Sequence, residues 1–129
     1  MSLQDKYRPV LDLGEKLNVK DGYVKEEDGK LKMGGTTHTQ YEKNLLWDKI
    51  KEIGGEVPSD LAADIRVETT DYYAKHTVSK GETLGKIAKQ YYDNAGAYMK
   101  IFNANTDILK NPDMIHPDQV LTIPFPEEA

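Results

Sequence analysis

The stretch from His76 to Pro124 constrains the fold more than any other part of the chain. His76-Thr77-Val78 opens it, and Val120-Leu121-Thr122-Ile123 closes it just before Pro124. Both runs are rich in β-branched residues, which pack well on a pleated surface and favour strands. Between them, Thr83 can cap a helix whose apolar positions Leu84, Ile87, Ala88 and Tyr91 recur at helical spacing. Asn94 and Gly96 break that helix. A second helical pattern, with Tyr98, Ile101 and Phe102 on one face, ends at Asn105, a residue type that tolerates the left-handed conformation common at helix ends. Asn111-Pro112-Asp113 and His116-Pro117-Asp118 read as loops. The order is strand, helix, helix, strand. Each helix is too short to be stable alone, so packing against an antiparallel strand pair must hold it.

The N-terminal half carries a different order. Leu3, Tyr7, Val10, Leu13 and Leu17 mark one face of a helix over residues 3–17. Pro9 is a defect if that helix begins at Leu3, and is tolerated if it begins near Arg8. Two short strands follow, at residues 23–25 and 30–33. They are joined by a turn containing Asp28-Gly29, a hairpin signal because Gly reaches positive φ at no steric cost. Gly34-Gly35 is expected to close the second strand. Thr39-Gln40-Tyr41-Glu42 has the form of a capping box and starts a helix to Ile53, with Leu46, Ile50 and Ile53 on one face and Trp47 beside them. Gly54-Gly55 and Pro58 stop it. Ala63 to Glu68 alternates apolar and polar, as a half-buried strand does.

Composition narrows the function classes. The chain has 129 residues, a formal net charge of −5 and no basic run. Non-specific nucleic-acid binding needs clustered Lys and Arg to displace counterions, so no nucleic-acid partner is expected. The absence of cysteine removes disulfides, thiolate metal sites and a cysteine nucleophile. No stretch approaches the ~18–20 apolar residues of a transmembrane helix. No signal pattern opens the sequence, so a cytoplasmic location is expected, or an exported or periplasmic one if a signal has been trimmed. The expected oligomeric state is a monomer. No phosphate loop, nucleophile elbow or His-Glu-x-x-His helix is present, and the chain reads as a non-catalytic binding protein.

His76-Thr77-Val78-Ser79-Lys80-Gly81-Glu82-Thr83-Leu84, Ile87-Ala88, Ile101-Phe102-Asn103-Ala104-Asn105 and Ile115-His116-Pro117-Asp118-Gln119-Val120-Leu121-Thr122-Ile123-Pro124 together resemble the LysM family. One departure is Asp118, where the family usually has Gly; Asp is among the less costly residues if the position needs positive φ. Residues 3–68 resemble the BON domain, on the segment Asp28-Gly29-Lys30-Leu31-Lys32-Met33-Gly34-Gly35, the helix to Ile53, Gly54-Gly55 and the strand from Ile65 to Glu68. The fold implied is α+β, with an αββαβ BON-like domain at 4–68, a short linker at 69–73 and a βααβ LysM domain at 74–125. The combination resembles the small cytoplasmic bacterial proteins described as potassium-binding BON–LysM proteins.

The LysM resemblance implies a groove for N-acetylglucosamine-containing glycan, such as peptidoglycan or its fragments. Carried over, one wall is Gly81, Glu82, Thr83 and Leu84, and the other is Pro112, Asp113, Met114, Ile115 and His116. Backbone polar groups would hold the acetamido group, with Met114 and Ile115 supplying apolar contact. Leu84 and Ile115 serve equally well as core residues, Gly81 is needed for its turn regardless, and Asp113 can simply initiate a turn after Pro112. Asn103 and Asn105 read as helix-end or loop hydrogen bonders. His38, His76 and His116 share no metal-ligand spacing and read as solvent-facing. Glu26, Glu27 and Asp28 read as a solvated turn. No cofactor is expected beyond a possible bound potassium ion. Such an ion prefers several oxygen ligands, often backbone carbonyls, which leave no sequence signature. Three readings stand: a glycan-binding protein, a cytoplasmic potassium-binding or ion-responsive protein, and a protein–protein interaction module.

Overall fold

A computed structural model describes residues 2–126 and divides the chain between Thr70 and Asp71 into two units. In the first unit, Ser2 Oγ accepts from Asp5 N–H at 3.1 Å and starts a single turn, α1 (Leu3–Lys6). Tyr7 leaves helical geometry and serves as the cap of α2 (Arg8–Lys16), which puts Pro9 inside the first turn, where its missing N–H costs nothing. The helix over residues 3–17 is therefore two pieces hinged at Tyr7.

Strands β1 (Lys20–Glu27) and β2 (Lys30–Thr37) pair antiparallel across Asp28 (φ 55°) and Gly29 (φ 75°), the two left-handed residues of a type I′ turn. Both strands outrun the sequence expectation, and Gly34-Gly35 lies inside β2 rather than closing it. The reason is pairing. β1 carries one extra residue between Lys20 and Tyr23, a bulge opposite Gly35, and β3 (Leu61–Val67) pairs parallel to β2 along its other edge. α3 (Gln40–Gly54) makes the crossover between β2 and β3. Thr39 Oγ1 accepts from Glu42 N–H at 3.3 Å, while Glu42 reaches back to His38 N–H at 3.0 Å, one residue earlier than in a strict capping box. The order helix, strand, strand, helix, strand is thus present, with strand order β1-β2-β3.

The core of this unit joins Tyr7 and Val10 to Leu46 and Ile50 of α3, Leu31 and Met33 of β2, and Leu61 and Ile65 of β3. Trp47 and Ile53 pack against it, half-buried. β1 is exposed along most of its length, and a cleft of about 410 Å³ opens between α2 and the β1–β2 hairpin. Tyr7 is fully buried, and its phenol donates to Asp60 Oδ1 at 2.6 Å; Lys6 pairs with the other carboxylate oxygen at 2.5 Å. Burial, then the Asp60 contact, pushes the Tyr7 phenol up to about 12, and Lys6, then Tyr7, holds the Asp60 carboxyl below its ordinary value. The acidic turn is solvated, as expected, and two of its carboxylates also make surface contacts. Glu27 pairs with Lys25 at 2.6 Å and Lys32 at 3.1 Å, and Glu26 Oε1 accepts from Gln4 N–H at 3.0 Å.

The second unit is βααβ. β4 (Ala74–Thr77) pairs antiparallel with β5 (Val120–Ile123). Thr83 Oγ1 accepts from Lys86 N–H at 3.1 Å and starts α4 (Leu84–Tyr92), which buries Leu84, Ile87, Ala88 and Tyr91, the four positions that the spacing selects. α4 stops at Asp93 (φ 56°); Asn94 then begins a 3-10 turn by accepting from Gly96 N–H at 2.9 Å, and this leads into α5 (Tyr98–Asn103). Ile101 is fully buried, while Tyr98 on the expected inner face is 39% exposed. Tyr92 donates to Pro124 O at 2.5 Å, and burial pushes its phenol up.

The residues read as a linker divide between the units. Thr69 N–H bonds His38 O at 3.3 Å in the first. Tyr73 is buried in the second, where its N–H extends the strand pair to Ile123 O at 2.9 Å.

Candidate functional site

The two segments expected to form a groove come from the same end of the β4–β5 pair. Beyond Thr77 and Val120 the ladder continues for one more step: Val78 N–H donates to Gln119 O and Val78 O accepts from Asp118 N–H, both at 2.8 Å. The chain leaves that step as loop 79–83 on one side and arrives through loop 111–119 on the other. Asp118 has φ 73°, so the position usually held by Gly does need the left-handed region, and an Asp occupies it while keeping the Val78 bond.

In the first loop, Gly81 is exposed at φ 86°, a conformation that only Gly adopts without strain, and Thr83 is exposed beside it. Leu84 takes the core role, one of the two open to it. Its side chain is 2% exposed because it is the first buried position of α4, so it packs into the core and is no sugar-contacting surface. Glu82 is engaged within the domain. Its Oε1 accepts from Ser79 N–H at 2.6 Å and lies 2.8 Å from His76 Nε2, while Glu82 N–H donates to Ser79 O at 3.1 Å. Burial pushes the Glu82 carboxyl up, but the Ser79 N–H, the His76 bond and the nearby His76 and Lys86 charges together hold it below its ordinary value.

In the second loop, Asn111 initiates the turn rather than Asp113: its Oδ1 accepts from Asp113 N–H at 2.9 Å and its carbonyl accepts from Met114 N–H at 3.0 Å. Met114 is 58% exposed, Pro112 and Ile115 are half-buried, and Asp113 and His116 are exposed. Gln119 Oε1 accepts from His116 N–H at 2.8 Å and steadies the approach to β5.

Sequence reasoning understated two residues that organise the domain. His76 is not solvent-facing: its side chain is 12% exposed, Nδ1 lies 2.8 Å from Tyr91 OH, and the two rings meet edge to face at 5.5 Å. Strand alternation is the available signal, since His76 falls on the same face as buried Ala74 and Val78. Asn105 is 2% exposed; it bonds Ile101 O at the end of α5, the helix-end role expected of it, and also reaches Thr122 of β5. Its signal is its place four residues after buried Ile101, at helical spacing just past the end of α5.

Residues 76–124 are a LysM domain. The wider chain is 42% identical over 99 residues, 75% of its length, to a protein of Escherichia coli O6:H1 named potassium binding protein Kbp. It is also 42% identical over 65 residues, 50% of its length, to an uncharacterized protein of Deinococcus radiodurans. The matched part spans 64% of the length of the first relative and 24% of the second. The 99-residue match is longer than either structural unit, so it extends from the LysM domain into the αββαβ unit. Among the described residues, no helix is long and apolar enough to cross a membrane, and no group of three or more His, Cys, Asp or Glu side chains converges as a metal site.

Proposed function

We propose that this chain is a non-catalytic potassium-binding protein built from an αββαβ unit and a LysM domain. The observation that carries this reading is the 42% identity to a protein named for potassium binding over a length that neither unit alone can supply. The chemistry is compatible. Potassium takes several neutral oxygen ligands, commonly backbone carbonyls, and needs no cluster of carboxylates. A net charge of −5 favours cations over anions near the surface.

A ligand that binds only the folded chain raises its stability by RT ln(1 + [L]/Kd), about 2.7 kcal/mol at one hundred times Kd. Thermal unfolding in KCl should therefore occur several degrees above unfolding in NaCl at equal ionic strength. Small-angle scattering should show a potassium-dependent change in profile. Superimposable melts and identical scattering in the two salts would sink the proposal.

A second reading, glycan recognition by the LysM domain, is favoured by the loop geometry. Loops 79–83 and 111–119 leave one end of the strand pair together, and exposed Met114 offers an apolar surface for a sugar face. The contacts would come from the backbone of residues 81–84 and the side chains of Met114 and Ile115, since the Leu84 side chain is in the core and the Glu82 carboxylate is already bonded. Titration with chitin oligomers to millimolar concentration should shift the amide signals of Gly81, Thr83 and Met114. Unmoved signals there would remove this reading and leave the potassium reading untouched.

A further inference from the structure

We propose that Glu82 and His76 are positioning residues, a carboxylate–imidazole latch that fixes loop 79–83, the first wall of the LysM groove. The loop is closed from both sides. Glu82 N–H donates to Ser79 O at 3.1 Å, and Ser79 N–H returns to Glu82 Oε1 at 2.6 Å. The backbone half of that clasp is an ordinary turn around Gly81. The carboxylate half also reaches the strand, because the same Oε1 lies 2.8 Å from His76 Nε2. His76 in turn is held by Tyr91 of α4 at 2.8 Å. Loop, strand and helix are thereby joined through one carboxylate oxygen.

The acceptors determine the proton positions. An ionised carboxylate can only accept, so Nε2 must carry a hydrogen. When the imidazole is neutral, Nδ1 is then the acceptor and Tyr91 donates its hydroxyl proton to it. When the imidazole is protonated, Nδ1–H donates and the Tyr91 oxygen accepts. A hydroxyl serves both states by rotating, so protonation of His76 leaves every bond in place and adds charge to the Glu82 contact. Protonation of Glu82 has the opposite effect, since a neutral carboxyl accepts more weakly than a carboxylate. The latch therefore loosens when the Glu82 carboxylate takes up a proton.

The titratable groups facing it from α4 are Tyr91 and Lys86, whose ammonium lies 3.3 Å from Gly81 O. From β5 the register partner of His76 is Leu121, which does not titrate. A group whose folded pKa is depressed contributes stability above its unfolded value and loses it as pH falls through the folded value. For Glu82 that window lies below the ordinary carboxyl value.

The Ser79 amide reports directly on the latch. Its hydrogen-exchange protection in the full chain should fall at least tenfold in Glu82→Ala and by a smaller factor in Glu82→Gln, whose neutral side-chain oxygen still accepts both bonds but more weakly than a carboxylate. In the wild-type chain, Ser79 protection should drop towards that of Glu82→Gln as pH falls below the ordinary carboxyl range, while that of core Ile87 does not; in Glu82→Gln this acid step should be absent. Unchanged Ser79 protection in Glu82→Ala, or parallel loss at Ser79 and Ile87 in the wild-type acid titration, would overturn the proposal.

The consequence for ligand rests on the glycan reading. There, Glu82→Ala should weaken chitin-oligomer binding about tenfold and Glu82→Gln should weaken it less. If the wild-type chain binds no chitin oligomer, that reading fails, while the Ser79 protection pattern still decides the latch.

Discussion

Asn105→Ala should destabilise the LysM domain by about 4 kcal/mol, the value reached when two or three buried hydrogen-bonding groups lose their partner at ~1–3 kcal/mol each. The Asn105 amide nitrogen donates to Ile101 O at 2.7 Å and to Thr122 O at 2.8 Å, and its oxygen accepts from Thr122 N–H at 2.8 Å. Both backbone groups of Thr122 thus turn away from β4 towards one side chain. The amide acts as a one-residue strand on the free edge of β5 and ties that edge to the end of α5. A domain of this size has only about 5 kcal/mol of net stability, so the variant should be largely unfolded at 37 °C. Loss of the dispersed amide signals of residues 71–126 is the measurement.

Asn105→Asp separates hydrogen bonding from shape. It keeps the volume, but a carboxylate cannot donate, and its oxygens would face two carbonyls. It should be as damaging as alanine at pH 7 and should recover part of its stability below about pH 4, where a protonated carboxyl regains one donor. A loss under 1 kcal/mol in either variant would mean that Thr122 finds another partner and that the clasp is not needed.

Gly35→Ala should cost the αββαβ unit about 3 kcal/mol or more. Gly35 has φ 154°, in a region that L residues rarely enter. A Cβ there would strike Val19 Cγ1 and approach Lys20 O at 3.1 Å and Gly22 Cα at 3.2 Å, all on the bulged entry to β1. Overlap with backbone cannot be relieved by a rotamer change, so β1 would have to shift. Gly29→Ala is the matched control. It too has positive φ (75°), but a Cβ there meets nothing within 4 Å, and the cost should be about 1 kcal/mol. The chain has a single tryptophan, Trp47, which packs against this unit's core, so urea unfolding followed by its fluorescence reads the unit directly. Equal midpoints for the two variants would show that the bulge relaxes freely.

What the amino-acid sequence determined by itself is local. The face of α4 formed by Leu84, Ile87, Ala88 and Tyr91, the caps at Thr39 and Thr83, the Asp28–Gly29 turn and the start of α2 at Arg8 all depend on residues within a turn or two of one another. The left-handed position at Asp118 was an expectation of the LysM resemblance, in which Gly is usual there. What the tertiary structure alone decided involves partners far along the chain. β2 runs through Gly34-Gly35 because a bulged β1 and a parallel β3 lie on its two sides. Tyr73 left the linker because Ile123, fifty residues on, receives its N–H. The Glu82 carboxylate found a partner because His76 turned inward beside Tyr91, and Asn105 became a clasp because Thr122 came within reach. Periodicity and capping are properties of consecutive residues. The partner of a side chain or a strand edge exists only once the chain has folded back on itself.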